Sequence, residues 1–306
     1  MRIRGDVDEQ IIDLGAGVHA YLQSPGGWCV SNAGVIAGGD GALVIDTLAT
    51  ESRARRLREI VDGLAPGPAR TIVNTHHHGD HNFGNHEFGR AATVIAHEQA
   101  RIEMQQTGLA LTAIWPGVQW GQVRVTLPTV TFADRIAVHI GEHRVELIHV
   151  GPAHTTNDVV VWLPERRILF AGDVVMAGVT PFVLFGSISG SLEALAELRA
   201  LEPETVIGGH GPIAGPEVLE QTRTYFEWVW ELAAEGLRAN RTPMQVARAA
   251  DLGSFAHLVD SERIVANLHR AYDELRGHPP ARPLDVDTVF GELIELNGGK
   301  LPTCLA

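Results

Sequence analysis

The sequence predicts an α/β fold that ends in a helical extension. Short apolar segments broken by Gly and Asn fill the first half of the chain, a helical pattern covers Glu51–Leu64, and the composition changes to amphipathic helix after Gly215. With 45% hydrophobic residues, the 306-residue chain can bury a large core. We therefore expect one domain over residues 1–215 and a helical extension, 216–306, packed on it.

The first half is predicted to place strands on both sides of that helix. Ala54, Leu57 and Val61 recur at helical spacing, and Pro66 is expected to close the segment. The strand that follows runs directly into a histidine-rich segment beginning at His76. Loops after strand ends are where α/β sheets bind ligands. The strands predicted in this half are 18–22, 32–36, 42–45, 71–74 and 92–96.

A less regular stretch, 105–131, separates these strands from the next set. It has apolar bulk, including Trp115 and Trp120, but no clear periodicity, and we interpret it as a packed segment near the site. Strand signals then return. The strands predicted here are 144–150, 158–163, 167–171 and 205–207, with a helix over 191–201.

The extension is predicted to consist of helices. Pro216 stands at a first-turn position, and apolar residues then share one helical face as far as Leu237. Thr242 and Gln245 have the spacing of a capping box, and a further helix is predicted over 261–275. An alternative is that these helices form the interface of a homodimer.

The charge balance argues against nucleic acid as a partner. Lys and Arg total 24 against 37 Asp and Glu, which gives a net charge of −13. Binding to a phosphate backbone depends on Lys and Arg displacing counterions. We therefore expect a small-molecule substrate rather than DNA or RNA.

Cysteine usage and hydropathy predict a cytoplasmic protein without a membrane segment. Cys29 and Cys304 lie at opposite ends of the chain and fit no metal-ligand or disulfide spacing, so we expect free thiols in a reducing compartment. The first ten residues are charged and do not lead into the apolar stretch of a signal peptide. No run of about 18 apolar residues occurs in the sequence, which disfavours a transmembrane helix.

Four potential metal ligands fall within six residues. His76, His78, Asp80 and His81 are too dense a set for ordinary core packing, and imidazole and carboxylate are ligands that suit zinc and similar divalent metals. In extended or turn conformation His76 and His78 point the same way, while Asp80 and His81 can reach a second point. The spacing therefore favours two metals over one.

This cluster resembles the HxHxDH signature of the metallo-β-lactamase superfamily. The matching string is Thr75-His76-x-His78-x-Asp80-His81-Asn82-x-Gly84. The segments 151–155, 170–173 and 208–211 resemble the second histidine segment, the bridging aspartate and the last histidine of that family, in the expected order. Asp46 matches an acidic residue that ends an early strand. The resemblance spans residues 17–212 and leaves the extension outside it.

The resemblance implies a four-layer αββα sandwich with the metals in a shallow groove at one edge of the two sheets, so that residues 1–215 would be the catalytic domain. It implies two zinc ions, with iron or manganese as alternatives. The first metal would be held by His76, His78 and His154, the second by Asp80, His81 and His210, and Asp173 would bridge them. His77 and His86 match no ligand position. His77 is expected to point away from the metals, and His86 and His149 remain open between supporting the ligands and packing in the core.

Such a site predicts a metal-dependent hydrolase. Two dications about 3.5–4 Å apart generate a bridging hydroxide near neutral pH and polarise a carbonyl, so no protein nucleophile is needed. Asp80, close to this solvent, would be the catalytic residue that orients it and moves its proton.

The substrate predicted within the superfamily is a small ester, lactone or thioester. Aspartate rather than cysteine at position 173 and the missing signal disfavour a physiological β-lactamase, although promiscuous β-lactam hydrolysis is an alternative. No basic pocket for an anionic thiol carrier is recognisable in the extension. Aromatic residues flanking the ligand motifs either wall an apolar pocket or pack in the core: Trp115, Trp120, Phe182 and Phe185. Ser187 and Ser189 either contact substrate or cap the following helix.

Two other classes of protein are weighed against the hydrolase. A mononuclear iron enzyme with persulfide-dioxygenase-like chemistry could use the same nitrogen and oxygen ligands. The complete second-metal set, Asp80, His81 and His210 with Asp173, favours the binuclear hydrolase. A non-catalytic scaffold is disfavoured because every ligand position is filled.

Overall fold

The structure, a computed structural model, describes residues 7–39, 41–65, 67 and 69–306. The predicted closing residue Pro66 and the first six residues of the charged start lie outside the described residues. The strands are β1 (Asp8–Asp13), β2 (Val18–Ser24), β3 (Ala33–Gly38), β4 (Gly41–Ile45), β5 (Ala69–Val73), β6 (Thr93–His97), β7 (Val130–Phe132), β8 (Arg135–Ile140), β9 (His143–His149), β10 (Val159–Leu163), β11 (Ile168–Met176) and β12 (Thr205–His210). The α-helices are α1 (Glu51–Leu64), α2 (Gly79–Asn82), α3 (Glu98–Thr107), α4 (Ala110–Ile114), α5 (Ile188–Ala200), α6 (Glu217–Arg238), α7 (Pro243–Ala249), α8 (Ile264–Leu275) and α9 (Val286–Leu296).

Two sheets form the centre of the molecule. The first has the order β1-β2-β3-β4-β5-β6-β7 and the second β12-β11-β10-β9-β8. Side chains from both sheets, among them Val18, Val73, Leu147, Val161 and Phe170, share one buried apolar cluster. The sheets therefore pack face to face and bury their facing side chains between them.

Helices cover the outer faces of both sheets. On the first sheet, Leu57 and Val61 of α1 pack against Val35 and Val44. On the second sheet, buried residues of α5, α6 and α8 join those of β10 and β11 in one cluster. This gives the four αββα layers that the sequence resemblance implied, because each sheet buries one face on its partner and the other on helices.

The extension begins close to its predicted position. Pro216 directly precedes α6, and the Thr242 capping box is present: the Gln245 backbone N–H donates to Thr242 Oγ1 at 3.2 Å, and the Thr242 N–H donates to Gln245 Oε1 at 3.0 Å. The segment predicted as helix over 261–275 is a 3₁₀ turn followed by α8. Within the described part of the chain, every helix is either too short or too polar to cross a membrane.

The C-terminal segment returns to the first half of the chain. Trp115 Nε1 donates to the carbonyl oxygen of Pro302 at 2.8 Å, and Arg53 Nη2 donates to that of Leu305 at 2.7 Å. These contacts bring Cys304 beside Cys29, so the two thiols are neighbours despite their separation in sequence. Both are free cysteines, as predicted.

Candidate metal centre

Strand ends and the loops after them carry the predicted ligands. The segment after β5 leads through His76 and His78 into the short helix α2, which holds Asp80 and His81. The remaining three lie on the second sheet: His154 between β9 and β10, Asp173 within β11, and His210 at the end of β12. The fold brings all seven predicted residues together at one edge of the two sheets.

The first group of ligand atoms comes from His76, His78, His154 and Asp173, all within 4.8 Å of one another. His154 Nε2 lies 2.9 Å from His78 Nδ1 and 3.4 Å from Asp173 Oδ2. His76 Nε2 lies 3.9 Å from the same carboxylate oxygen. Three imidazole nitrogens and one carboxylate oxygen therefore converge on one point.

The second group comes from Asp80, His81 and His210, again within 4.8 Å. His210 Nε2 lies 3.4 Å from Asp80 Oδ2 and 3.4 Å from Asp173 Oδ2. His81 Nε2 lies 3.2 Å from Asp173 Oδ1. Asp173 thus contacts ligand atoms of both groups. Glycine at position 209 permits this approach, because a Cβ there would lie 1.8 Å from Asp173 Oδ1.

Unsatisfied polar atoms at this point fit a metal. Among the described residues, His76 Nε2, His81 Nε2 and Asp173 Oδ1 are buried and lack a hydrogen-bond partner. Buried polar atoms are nearly always paired, so such a concentration requires an explanation. Nitrogen and carboxylate donors in this arrangement are those that divalent zinc accepts.

Contacts behind the ligands fix their ring orientations. His81 Nδ1 donates to Asp46 Oδ2 at 2.8 Å, and Asp46 also accepts from the backbone N–H and the hydroxyl of Thr75, at 2.8 and 2.7 Å. His210 Nδ1 donates to the carbonyl of Val30 at 3.0 Å. His154 Nδ1 donates to the carbonyl of Phe182. In each of these three histidines Nδ1 makes the supporting hydrogen bond, so Nε2 is the nitrogen that faces the site.

The pKa values of the clustered histidines are shifted in two directions. Burial lowers the pKa of His76 and His78 well below the usual value and that of His154 to about 4. Burial also opposes protonation of His210, but the carboxylates of Asp173 and Asp80 outweigh it and raise its pKa to about 9. In the metal-free protein, a proton on His210 therefore takes a position that a metal cation could occupy, whereas His76, His78 and His154 are neutral.

A cavity of about 680 Å³ opens over the cluster. Asp80, Asp173 and His210 line its floor together with His78 and His154. Its size suits a small organic ligand. Helices α3 and α4, the loop after β11 and the extension provide its walls.

The family model for the metallo-beta-lactamase superfamily matches residues 26–210. The chain belongs to the metallo-β-lactamase superfamily. The matched region contains every predicted ligand and ends at His210, so the extension lies outside it. The superfamily consists mostly of hydrolases.

Individual relatives of the chain differ in the activities that their names state. The chain is 27% identical to the 2,4-dinitroanisole O-demethylase subunit alpha of a Nocardioides strain, over 72% of this chain and 64% of that one. It is 28% identical to human acyl-coenzyme A thioesterase MBLAC2, over 71% and 74%. A solved metallo-beta-lactamase from Pontibacter korlensis aligns with a TM-score of 0.58 at 22% identity, covering 72% of this chain and 99% of that one. The chain thus spans less than two thirds of the demethylase subunit, and the structural likeness shows the fold.

The other histidines of the motif region lie outside the ligand groups of this superfamily member. His77 Nδ1 faces Asn157 and Glu103 at 3.1 and 3.2 Å, away from the cluster as predicted. His86 Nδ1 donates to the carbonyl of Phe83 at 2.8 Å. His149 donates to the carbonyl of Asp158 and stacks on His97. His86, in the 3₁₀ turn after α2, and His149, at the end of β9, therefore lie outside both ligand groups.

The sequence left the roles of several aromatic and serine residues open, and the structure shows that some line the cavity while others stabilise the segments around it. Trp115, Phe182 and Phe185 line the cavity. Trp120 packs on Phe83, and its Nε1 donates to the carbonyl of Trp115 at 3.1 Å. Ser187 caps α5 by accepting from the N–H of Gly190 at 2.9 Å, which is the capping alternative.

Sequence reasoning missed the residues that α3 and the extension bring to the cavity. Glu103 and Arg263 lie far from the ligand motifs in the sequence, and each is a common residue type with no motif around it. The one available signal was the polar face of α3, where Gln99, Glu103 and Gln106 recur at helical spacing.

Proposed function

We propose that this protein is a binuclear zinc hydrolase that cleaves a small ester, lactone or thioester. The observation that carries the proposal is the position of Asp173 Oδ2, which lies 3.4 Å from His154 Nε2 in one ligand group and 3.4 Å from His210 Nε2 in the other. A single carboxylate oxygen between two groups of histidines suits a bridge between two cations.

In this proposal the two groups hold one metal each. His76, His78 and His154 would bind the first, Asp80, His81 and His210 the second, and Asp173 both. A bound pair of divalent metals lowers the pKa of water and polarises a carbonyl. Zinc is preferred because the set mixes imidazole with carboxylate, although the same donors accept iron or manganese.

The protein's own residues would bind substrate and move the proton. Asp80 lines the cavity, and its carboxylate would orient the attacking water and carry a proton to the leaving group. In the metal-free protein, burial opposes the ionisation of Asp80, but His81 and His210 outweigh it and lower the pKa of this carboxyl. Phe182, Phe185 and Trp115 would exclude bulk water from the floor.

Metal content and turnover test the proposal together. We expect about two zinc ions per chain by plasma mass spectrometry and hydrolysis of at least one substrate in a panel of esters, lactones, thioesters and β-lactams. Asp173→Ala and His154→Ala should lose metal and activity together. His86→Ala is the matched control, because His86 contacts Phe83 and Glu87 and lies outside both ligand groups.

Other outcomes would reject parts of the proposal. One iron per chain with no hydrolysis would favour the mononuclear oxygenase instead. Turnover confined to β-lactams would make this a β-lactam hydrolase. Full activity and unchanged metal in Asp173→Ala would show that the ligand set is wrong.

A further inference from the structure

The cavity above the cluster has two chemically different walls. The extension, the loop between β2 and β3 and the segment after α4 together supply an apolar wall, which includes Leu284, Val286, Phe290, Trp28 and Trp115. The ring centroids of Trp28 and Phe290 are 6.1 Å apart, and those of Trp28 and Trp115 are 5.5 Å apart. This packing forms a continuous aromatic surface leading away from the ligand groups. Such a surface gains free energy by burying an apolar group.

The opposite wall is polar and carries a negative charge. Gln99, Glu103, Gln106 and Thr107 line the cavity from one face of α3, since residues four, seven and eight positions apart lie together on a helix. Glu103 Oε1 accepts from Gln99 Nε2 at 3.0 Å, and Asn157 Nδ2 donates to Glu103 Oε2 at 3.2 Å. The carboxylate is thereby fixed at the cavity surface, where it would repel an anionic group.

The two arginines of the cavity wall have their charges satisfied within the protein. Arg263 Nη2 donates to Asp260 Oδ2 at 3.0 Å, Nη1 donates to the carbonyl of Thr180 at 3.2 Å, and the guanidinium stacks 4.2 Å from the centre of the Trp28 ring. Arg270 donates to the carbonyls of Leu184 and Arg282 at 2.6 and 2.9 Å.

Both arginine side chains are buried, at 2% and 0% exposure, and in each of them Nε has no hydrogen-bond partner. A ligand would have to displace neighbouring side chains to reach them. Away from the ligand groups, the described lining residues therefore offer an anion no accessible arginine or lysine side chain.

We propose that the substrate has an apolar acyl group, which binds against the wall formed by the extension, and an uncharged leaving group, which faces α3. The inference rests on the proposed hydrolase function and narrows its substrate class. Water adds its oxygen to the acyl carbon, the bond to sulfur or oxygen breaks, and the leaving group takes a proton. The products are a carboxylic acid and a neutral thiol or alcohol. In this proposal the anionic carriers of coenzyme A and glutathione thioesters disfavour them as substrates.

A pair of thioesters with the same acyl group isolates the charge effect. Octanoyl-N-acetylcysteamine is uncharged, whereas octanoyl-coenzyme A carries an anionic carrier on the same bond. We expect kcat/KM to be at least about tenfold higher for the neutral thioester, because like charges brought together at a binding surface are strongly penalised. Equal or higher kcat/KM for the coenzyme A thioester would overturn the inference and implicate Arg263 and Arg270 as anion ligands.

Removing the negative charge of Glu103 on α3 tests the charge effect a second time. Glu103→Gln should raise the coenzyme A to N-acetylcysteamine ratio of kcat/KM by about threefold, the size expected for one partly solvated charge. Glu98→Gln is the matched control, since Glu98 is an exposed carboxylate of the same helix that does not line the cavity. An equal ratio in both variants and the wild type would contradict the assigned role of Glu103.

Binding measurements separate the acyl site from the hydrolase function. With zinc-loaded protein, titration calorimetry should show tighter binding of octanamide than of acetamide, and Phe290→Ala should reduce that difference. Ile294→Ala, a half-buried residue of α9 outside the cavity, should leave it unchanged. If no substrate is hydrolysed but octanamide binds as stated, the hydrolase proposal fails and the acyl site stands. Equal binding of octanamide and acetamide would reject the acyl site. So would an equal loss of the binding difference in Phe290→Ala and Ile294→Ala.

Discussion

The side chain of Asn267 holds the backbone on both sides of Phe182. Its Oδ1 accepts from the N–H of Val183 at 3.0 Å, and its Nδ2 donates to the carbonyl of Pro181 at 2.7 Å. The carbonyl of Phe182 accepts from Nδ1 of His154. Helix α8 of the extension therefore fixes the loop that orients a proposed metal ligand, although it lies outside the region matched by the family model.

Replacing Asn267 should weaken metal binding. Asn267→Leu removes both hydrogen bonds and frees the Phe182 carbonyl to move, so we expect zinc affinity to fall by about 10–100-fold, the usual cost of losing a contact behind a ligand. Competition with a chromophoric chelator measures the dissociation constant. Tyr225→Phe is the control, because it removes only the 3.0 Å contact between the Tyr225 hydroxyl and Asn267. Wild-type affinity in a folded Asn267→Leu protein would contradict the prediction.

Asp46 should act in the same way on the second ligand group. It adopts a positive φ of 57° and contacts both His81 and Thr75. Asp46→Ala leaves His81 Nδ1 without its acceptor, and we expect a loss of about one metal per chain or an affinity about 10–100-fold lower. Thr75→Ser retains the hydroxyl donor and should behave as wild type. Metal-to-protein ratios after dialysis against a fixed free zinc concentration would check this, and two tightly held zinc ions in Asp46→Ala would refute it.

The residues of the candidate site could be predicted because each stands in a short local motif. His76, His78, Asp80 and His81 occur within six residues, and Asp173 and His210 follow short apolar runs that indicate strands. The helix Glu51–Leu64 was equally predictable, since apolar spacing defines its buried face. Local patterns thus give the ligands and the sheets that carry them.

Apart from Trp115, Phe182 and Phe185, the walls of the cavity could not be predicted, because they depend on contacts between distant segments. Asn267 and Phe182, for example, are 85 positions apart, and nothing near Asn267 marks it as a loop anchor. Strand β1 is mostly exposed and polar, so it lacks the apolar alternation of a strand with a buried face. Helix α9 follows a Pro-rich segment, so its first residue is hard to recognise in the sequence. This helix carries the Phe290 side chain of the apolar wall.

Removing metal should lower thermal stability. A ligand that binds only the folded state stabilises it by an amount that grows with the ratio of free ligand to dissociation constant, about 2.7 kcal/mol at a hundredfold excess. For a protein of this size we expect a strong chelator to lower the Tm by about 5 °C or more. Zinc added back should restore it. Asp173→Ala is expected to show little change with chelator, and a full shift in that variant would place the stabilising metal elsewhere.

The capping box of α7 should contribute to the stability of the extension. Thr242→Ala removes the acceptor for the Gln245 N–H, and we expect a loss of about 1 kcal/mol in the free energy of unfolding. Thr224→Ala is the matched control, because Thr224 is an exposed mid-helix residue whose hydroxyl donates only to the carbonyl of Glu220. Urea titrations of both variants check the difference, and equal midpoints would show that the cap is dispensable.

Asp273 makes the extension sensitive to acid. Burial opposes its ionisation, but Arg282 and His278 outweigh burial and hold its pKa below the usual range. His278 Nδ1 lies 2.7 Å from Asp273 Oδ1, and Arg282 Nε donates to Oδ2 at 3.2 Å. Because the folded-state pKa is depressed, these contacts stabilise the protein above the unfolded-state pKa of about 3.9 and lose that effect as pH falls through the folded-state value.

Asp273→Asn should therefore be less stable than wild type by about 1–2 kcal/mol at pH 7, since it removes a charged acceptor of three hydrogen bonds. The difference should hold down to about pH 4 and shrink below it, where the wild-type carboxylate also takes up a proton. Urea unfolding of both proteins in chelator, which removes any contribution from metal release, measures this directly. Asp285→Asn, at the exposed cap of α9, gives a carboxylate control in the same region. A difference between Asp273→Asn and wild type that stays constant through acid pH would show that the effect of the substitution comes from packing rather than charge.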